Sequence, residues 1–310
     1  MLKRLALKKI IITSLSFLIL LIIYFFPSSD SYNVNTTLTY IEPETIPIYL
    51  IDNNDLVSRF EVIKQNNETS NLIDEIINNL TVDSKNSSHI PSNFKKIIPK
   101  NTKIISKELK EGLLKINFSK ELLNVSKENE EKMIEAIIFS LTEIKDITKI
   151  MIFVEGKTLK ELPNSKKILP NTLDRSYGIN KVYEIESMKD ISKITTYYVS
   201  KMDGYSYFTP VTTVTNLKNE KVEVIIEKLK SSPTYQTNLI SYLASSAELL
   251  DYEILENSVN LSFNNQVLSL DENEIIEEVK YSIALSIRDT YNINETIFYV
   301  DNMLIDAFFI

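Results

Sequence analysis

The chain has 310 residues, room for about two ordinary domains, and at 44% hydrophobic residues it has enough apolar content for packed cores. Its four glycines, Gly112, Gly156, Gly178 and Gly204, lie far apart, which excludes a Walker-type or Rossmann-type phosphate loop; the absence of cysteine excludes disulfides, thiolate nucleophiles, Cys-ligated metals and a lipidated cysteine. Of the net charge of −8, Lys3, Arg4, Lys8 and Lys9 supply +4 within the first 26 residues, so the remainder carries −12 and repels nucleic acid.

Ile10 to Phe26 is an uncharged apolar stretch. As a helix it spans ~26 Å, close to the ~30 Å hydrocarbon thickness of a bilayer. All charges of the segment precede it, so the positive-inside rule places the N-terminus in the cytoplasm and the rest outside. A cleaved signal peptide is the competing reading, but Phe25-Phe26-Pro27-Ser28-Ser29-Asp30 lacks an Ala-x-Ala pattern. Residues 1–27 are therefore expected to form a cytoplasmic stub and transmembrane anchor, and the polar residues 28–44 a tether.

Beyond the tether the sequence carries an internal repeat. The first half opens on Ile46–Asp52 and a second short strand at Arg59–Ile63; the second half opens on Ile194–Ser200 and Tyr207–Val211, with Phe60 and Phe208 at matching offsets. Helical spacing of Ile73, Ile76, Ile77 and Leu80 is repeated by Val222, Ile225, Ile226 and Leu229, stopped by Pro233. Polar loops at Thr81–Asn93 and Ser231–Asn238 lead to a hairpin in each half. One runs Ile104–Leu109, turns at Lys110-Glu111-Gly112 and returns through Leu114, Ile116 and Phe118; the other runs Leu249–Leu255 and returns through Val259, Leu261 and Phe263. A longer helix comes next, with Ser126 as expected N-cap in the first half and Asp271 with Glu274 as a capping box in the second. Each half closes on a β-rich run, Lys149–Gly156 and Glu295–Asn302. The expectation is an α+β fold: an N-terminal transmembrane helix followed by two tandem β-β-α-β-β-α-β domains at 45–162 and 183–310, joined by a polar, proline-containing linker at 163–182.

The pattern resembles the GerMN-domain family of sporulation and spore-germination proteins. The resemblance rests on Ile48-Tyr49-Leu50, Leu56-Val57-Ser58-Arg59-Phe60, Ile98-Pro99-Lys100-Asn101-Thr102, Lys115-Ile116-Asn117-Phe118-Ser119, and Ser140-Leu141-Thr142-Glu143 running through Lys149-Ile150 to Val154-Glu155-Gly156-Lys157. The second half diverges: Ser245-Ser246-Ala247 stands in place of the proline turn, and Ile287-Arg288-Asp289 in place of Leu-Thr-Glu. The resemblance implies an envelope protein acting in sporulation, at the membranes between mother cell and forespore, in assembly of a ring-like trans-envelope complex. Family members without a transmembrane segment are lipoproteins; lacking the cysteine, this chain is expected to use its helix instead.

No constellation for chemistry stands out. His89, the single histidine, lies in the polar loop Asn86-Ser87-Ser88-His89, a poor mount for a triad base. The carboxylate pairs Glu130-Glu131 and Glu277-Glu278 invite comparison with glycosidases but fall on helix faces opposite the apolar stripe. Asp52-Asn53-Asn54-Asp55 lacks the ligand spacing of a calcium loop and reads as a turn. Tyr197-Tyr198 and Tyr205–Phe208 suit a sugar platform or an interface, and equally a strand. Ala307–Ile310 is an apolar end that either packs on the second domain or marks a contact patch. No catalytic, cofactor-binding or metal residue is assigned, and no cofactor is expected. The expected function is that of a non-enzymatic, single-pass membrane protein. Its domains are extracytoplasmic, and its expected partners are the membrane, other envelope or sporulation-complex proteins and further copies of itself. A protein that binds or hydrolyses cell wall or cortex, and an extracytoplasmic sensory module, are the alternatives.

Overall fold

The computed structural model describes residues 2–25, 43–85, 88–202, 204–233, 238–269 and 274–310. They fall into two units, Met1–Glu42 and Pro43–Ile310. The first holds one helix, α1 (Leu2–Phe25). Among the described residues no helix is long and apolar enough to cross a membrane. Of the run Ile10–Phe26, residue 26 and the side chains of 10–12, 23 and 25 lie outside the described residues, as does the expected tether up to residue 42.

The second unit is α+β. In chain order it contains β1 (Thr45–Ile51), β2 (Val57–Ile63), α2 (Thr69–Leu80), β3 (Ile104–Lys110), β4 (Leu113–Phe118), α3 (Glu130–Leu141), β5 (Lys149–Val154) and β6 (Lys157–Thr158). Next come β7 (Val182–Glu184), β8 (Ser192–Met202), β9 (Tyr205–Thr215), α4 (Lys221–Leu229), β10 (Leu249–Ile254), β11 (Ser258–Phe263), α5 (Glu277–Tyr291), β12 (Glu295–Val300) and β13 (Met303–Phe309). β6, β7 and β13 are strands the periodicity did not announce. Ser126 is not the N-cap of α3: the helix opens at Glu130, and the Ser126 carbonyl instead accepts the Asn129 and Glu130 amides in a preceding turn. Asp271 lies outside the described residues, and Glu274 falls ahead of α5, which opens after Ile276.

Each half builds a four-stranded sheet, β3-β4-β5-β6 and β10-β11-β12-β13. In both, the central pair is parallel, β4 with β5 and β11 with β12, and a helix (α3 or α5) makes the crossover. Parallel neighbours require such a crossover, and its apolar stripe covers the sheet. The alternating Leu114, Ile116 and Phe118, like Val259, Leu261 and Phe263, point into the two cores and are fully buried. Three of the four antiparallel flanks close with two-residue turns in left-handed backbone: Glu111-Gly112, Glu155-Gly156 and Asp301-Asn302 all have positive φ. That is the conformation whose twist matches a hairpin, and it suits Gly, Asn and Asp.

The two remaining hairpins, β1-β2 and β8-β9, do not stay in their own halves. They join edge to edge through β2 and β9. β8 lines β9 from end to end, so β2 and then β7 share the other edge of β9. Pairing aligns Val57 with Ile51 and Phe208 with Val199. The structural counterpart of Phe208 is therefore Val57, not Phe60, because the connections within the two hairpins differ in length. The arrangement is a pseudo-twofold centred where Ser58 Oγ meets Thr209 Oγ1, 2.8 Å apart.

One residue on this seam cannot donate. Pro210 has no amide hydrogen, and a proline in a sheet stops the ladder. The direct β2·β9 pairing is accordingly limited to Arg59 with Phe208. Asn180 fills the gap: its side-chain carbonyl accepts the Val57 amide at 2.9 Å, and its Nδ2 donates to the Val57 and Pro210 carbonyls, both at 2.8 Å. Asn180 holds φ +47°, a left-handed conformation asparagine tolerates well.

Asn180 belongs to residues 163–182, expected to be a polar linker. The segment is instead built into the molecule: Leu169, Leu173, Tyr177 and Ile179 are buried, and Ile150 and Leu173 exchange both backbone hydrogen bonds at 2.8 Å. Replacing Asn180 by leucine leaves three backbone groups of the seam without partners. The expected loss is about 2–4 kcal/mol, since each stranded buried group costs roughly 1–3 kcal/mol less what relaxation recovers. Urea titration of the full chain measures it, and a loss below ~0.5 kcal/mol would show that the seam does not need this amide.

Candidate functional site

The densest polar chemistry among the described residues lies where the two halves meet. It is built from equivalent positions of the repeat. In the first half the edge strand β1 passes the last turn of α3, and the Tyr49 amide donates to Ser140 Oγ at 2.8 Å. In the second, β8 passes α5 and the Tyr197 amide donates to Ser286 Oγ at 2.9 Å. Each serine thus satisfies an edge-strand amide that has no strand partner. Three residues after each serine comes a carboxylate, Glu143 and Asp289. The two tyrosine rings run from opposite sides toward the pseudo-axis, and their hydroxyls meet at 2.9 Å.

Arg175, from a short 3₁₀ turn at Arg175–Tyr177, is inserted between the carboxylates. Its Nη1 donates to Asp289 at 2.7 Å and its Nη2 to Glu143 at 2.5 Å, while Nε donates to Thr142 Oγ1 at 3.0 Å. The guanidinium also lies 4.9 Å from the centre of the Phe139 ring, a cation–π distance. Arg288 forks onto Glu143 with bonds of 3.0 and 2.9 Å. Arg59 on β2 pairs with Glu61 at 2.7 Å. Glu143 and Asp289 keep 6% and 1% of their side-chain surface exposed, so both charges depend on these partners.

The two tyrosine hydroxyls link the carboxylates: Tyr197 donates to Asp289 at 2.6 Å, Tyr49 donates to Glu143 at 2.9 Å, and the hydroxyls lie 2.9 Å from each other. Glu143 also holds three guanidinium bonds. Burial disfavours the Glu143 charge, but Arg288, Arg175 and Arg59 outweigh it and hold the carboxyl well below the usual range. Burial, reinforced by Asp289, pushes the Tyr197 hydroxyl well above the ordinary tyrosine range. The arrangement is a saturated lock: it presents no unpaired nucleophile or base toward a cleft.

The residues singled out in the sequence are dispersed around it. His89 is exposed in the irregular stretch after α2. Glu130 is buried and accepts the Asn164 and Ser165 amides at 2.8 and 2.6 Å, so it holds the connecting segment on α3 and is not a solvated helix face. Its neighbour Glu131 pairs with Lys167 and Lys181, whereas Glu277 forms a surface pair with Lys280. Asp52 closes its own loop: it is buried and takes bonds from the Asn54 and Leu56 amides, Ser58 and Tyr207, leaving no lone pairs for a cation. Among the described residues no His, Cys, Asp or Glu group is arranged to hold a metal. Tyr197, Tyr198 and Tyr207 are buried, so no tyrosine platform forms; Tyr205 alone of that set is fully out in solvent. Ala307–Ile310 belongs to β13 and its end, with Phe308 stacked edge-on against Tyr281 at 4.7 Å.

Residues 47–160 match the family model described as Germane: Sporulation and spore germination. The matched segment, a little over a third of the chain, is similar to the Germane, or GerMN, family. It is 27% identical over 208 residues to the spore germination protein GerM of Bacillus subtilis (strain 168), a match that takes in 64% of this chain and 56% of that protein. The chain thus spans little more than half the length of this curated relative. Among solved structures, the tandem GerMN domains of the sporulation protein GerM from Bacillus subtilis superpose with a TM-score of 0.76, at 23% identity, covering 84% of this chain and 92% of that one. The fold is therefore that of tandem GerMN domains.

Of the lock residues, Tyr49, Arg59 and Glu143 stand in the segments that carry the family resemblance, but nothing in those segments announced a shared cluster. Arg175 lay in the supposed linker, where only a lone arginine beside buried-type apolar residues hinted at it. Replacing Arg175 by methionine leaves Glu143 and Asp289 short of charge in a dry site, and a loss of about 3–5 kcal/mol is expected. The depressed Glu143 carboxyl contributes stability that is present above the unfolded value of ~4.3 and is lost as pH falls below it. The raised Tyr197 contributes stability that is present below the unfolded value of ~10 and is lost as pH rises past it. Chemical denaturation across pH 3–11 checks both; an acid limb unchanged in Glu143→Gln would refute the assignment.

Proposed function

We propose that the chain is a non-enzymatic, membrane-anchored assembly factor of the sporulating cell envelope, acting through protein–protein contacts of its two tandem GerMN-like units at 45–162 and 183–310. The observation that carries this reading is the lock itself. The strongest concentration of charged groups is spent on fixing one half against the other, which is what a scaffold needs and a hydrolase does not. Residues 1–27 serve as a single-pass anchor with a cytoplasmic N-terminus, favoured by the position of Lys3, Arg4, Lys8 and Lys9 ahead of the apolar run. Residues 28–44 act as the tether. Anchoring confines the rigid pair to the outer surface of the cytoplasmic membrane and raises its effective concentration toward envelope partners or other copies.

In a spore-forming host, deleting the gene is expected to lower heat-resistant spores at least tenfold, and a chain lacking residues 1–27 is expected not to restore them. The full chain should remain in the membrane fraction after alkaline carbonate extraction. Normal spore counts, or glycan hydrolysis by the purified full chain in a zymogram that one carboxylate substitution abolishes, would overturn the proposal.

A further inference from the structure

We propose that the outer edge of β13 is a docking strand for a second copy of this chain. The inference rests on the reading of the protein as an assembly factor and names the surface through which copies meet. Among the described residues no strand pairs with that edge, although β13 closes the second four-stranded sheet along Met303–Phe309. The first half does not leave its equivalent edge open. There the outer side of β5 takes the two-residue β6 and the backbone of Leu173 from the connecting segment.

The direction of the peptide groups follows from one bond. The Ile310 amide donates to the Asn294 carbonyl at 3.1 Å, so Ile310 faces β12. In an antiparallel ladder alternate residues face the partner, which turns Phe308 and Asp306 toward β12 and the N–H and C=O of Ala307 and Phe309 outward. The irregularity at Ile305 lies before this run and leaves it straight. A strand edge of unpaired donors and acceptors is a template for another strand. The side chains beside it are apolar: Leu304 and Phe309 are 61% and 67% exposed, on the open face of the sheet with Ile297 and Tyr299 of β12.

Charge selects the occupant. The edge strand β3 carries Lys107, Glu108 and Lys110, and β10 carries Asp251 and Glu253, the kind of charge with which an edge rejects an incoming strand. β13 has one charge, Asp306, and Lys280 of α5 neutralises it at 2.9 Å. A charged partner strand gains nothing from such an edge, whereas a second β13 meets it without repulsion. The strand is also self-complementary. Set antiparallel about a twofold through Phe308, Ala307 of each copy faces Phe309 of the other, so small meets large and the outward N–H and C=O groups pair with none left over. Asp306 then faces Ile310 and not another Asp306. The chain uses the same device internally, where β2 and β9 join edge to edge about the small Ser58 and Thr209.

The chain has no cysteine, so Ala307→Cys gives the full chain a single thiol. On this register the two thiols of a dimer are diagonal neighbours about 7 Å apart, within the span of bis-maleimidoethane. In dodecyl maltoside this variant is expected to crosslink to a dimer, and Ser106→Cys on β3 and Glu253→Cys on β10 are not. Sedimentation of the unsubstituted chain should show a dimer half-formed below about 100 µM. Added salt should strengthen it, because the copies are acidic and the contact is not. Ala307→Pro removes an outward amide and no bond to β12, and Phe309→Lys places a charge on the same edge. Each should weaken the dimer roughly tenfold or more, with the melting temperature held within about 2 °C. Equal crosslinking from the thiols on β3 and β10, or a dimer indifferent to both changes, would overturn the proposal. So would a chain that stays monomeric up to ~1 mM, which would give the edge to a strand of another protein. Those results leave the assembly role to its spore count, and a normal spore count leaves the dimer intact.

Discussion

A single guanidinium shared by two buried carboxylates is the constraint around which the two halves are arranged. A pseudo-twofold junction brings like groups face to face, and here the groups at equivalent helix ends are Glu143 and Asp289. Two acids meeting in a dry site repel unless a cation stands between them. Arg175 stands there, bonded to both. It comes from neither repeat but from the segment between them, as does Asn180, which repairs the proline break in the central sheet. The connecting segment is therefore the element that converts two hairpins with open edges into one continuous sheet.

Such a cluster says more about orientation than about stability. Desolvating several ions offsets most of their attraction, and well-packed apolar side chains commonly do as well energetically. What apolar packing does not supply is a single answer, because it tolerates sliding. The lock tolerates little: Arg175 uses all three guanidinium nitrogens, Arg288 forks onto one carboxylate, and the two tyrosine hydroxyls link the carboxylates to each other. Three guanidiniums, of Arg59, Arg175 and Arg288, face Glu61, Glu143 and Asp289, so the group is balanced in charge. Rigid orientation of two similar units is what the lock supplies.

Much of the architecture was legible because it follows from periodicity. Leu114-Lys115-Ile116-Asn117-Phe118 alternates, and Ile73, Ile76, Ile77 and Leu80 recur at helical spacing, so local pattern and burial agree. β13 was missed although Asp301-Asn302 is a good two-residue hairpin turn, because the apolar end Ala307–Ile310 was weighed as a terminus and not as the return strand. The connecting segment was misread for a different reason. Its prolines and polar residues set the average composition, whereas Leu169, Leu173, Tyr177 and Ile179 decide its fate. The lock was illegible for want of proximity: Tyr49, Glu143, Arg175, Tyr197, Arg288 and Asp289 are brought together only by the edge-to-edge joining of hairpins, which no local pattern encodes.

The divergence of the second copy has a physical meaning at this junction. Where the first half has Thr142-Glu143, the second has Arg288-Asp289. The carboxylate is kept, one methylene shorter, and the threonine has become the arginine that forks onto the opposite half's glutamate. Meanwhile Thr142 receives the Arg175 Nε. The two helix ends are thus complementary and not identical. Two copies of the first half set against each other would present two glutamates and two threonines, with no counterpart of Arg288. Two copies of the second would bring a second Arg288 in place of Thr142 and leave Arg175 without that acceptor. The sequence drift that weakens the family resemblance at Ile287-Arg288-Asp289 is what makes the first half pair with the second, within one chain, in preference to pairing with itself.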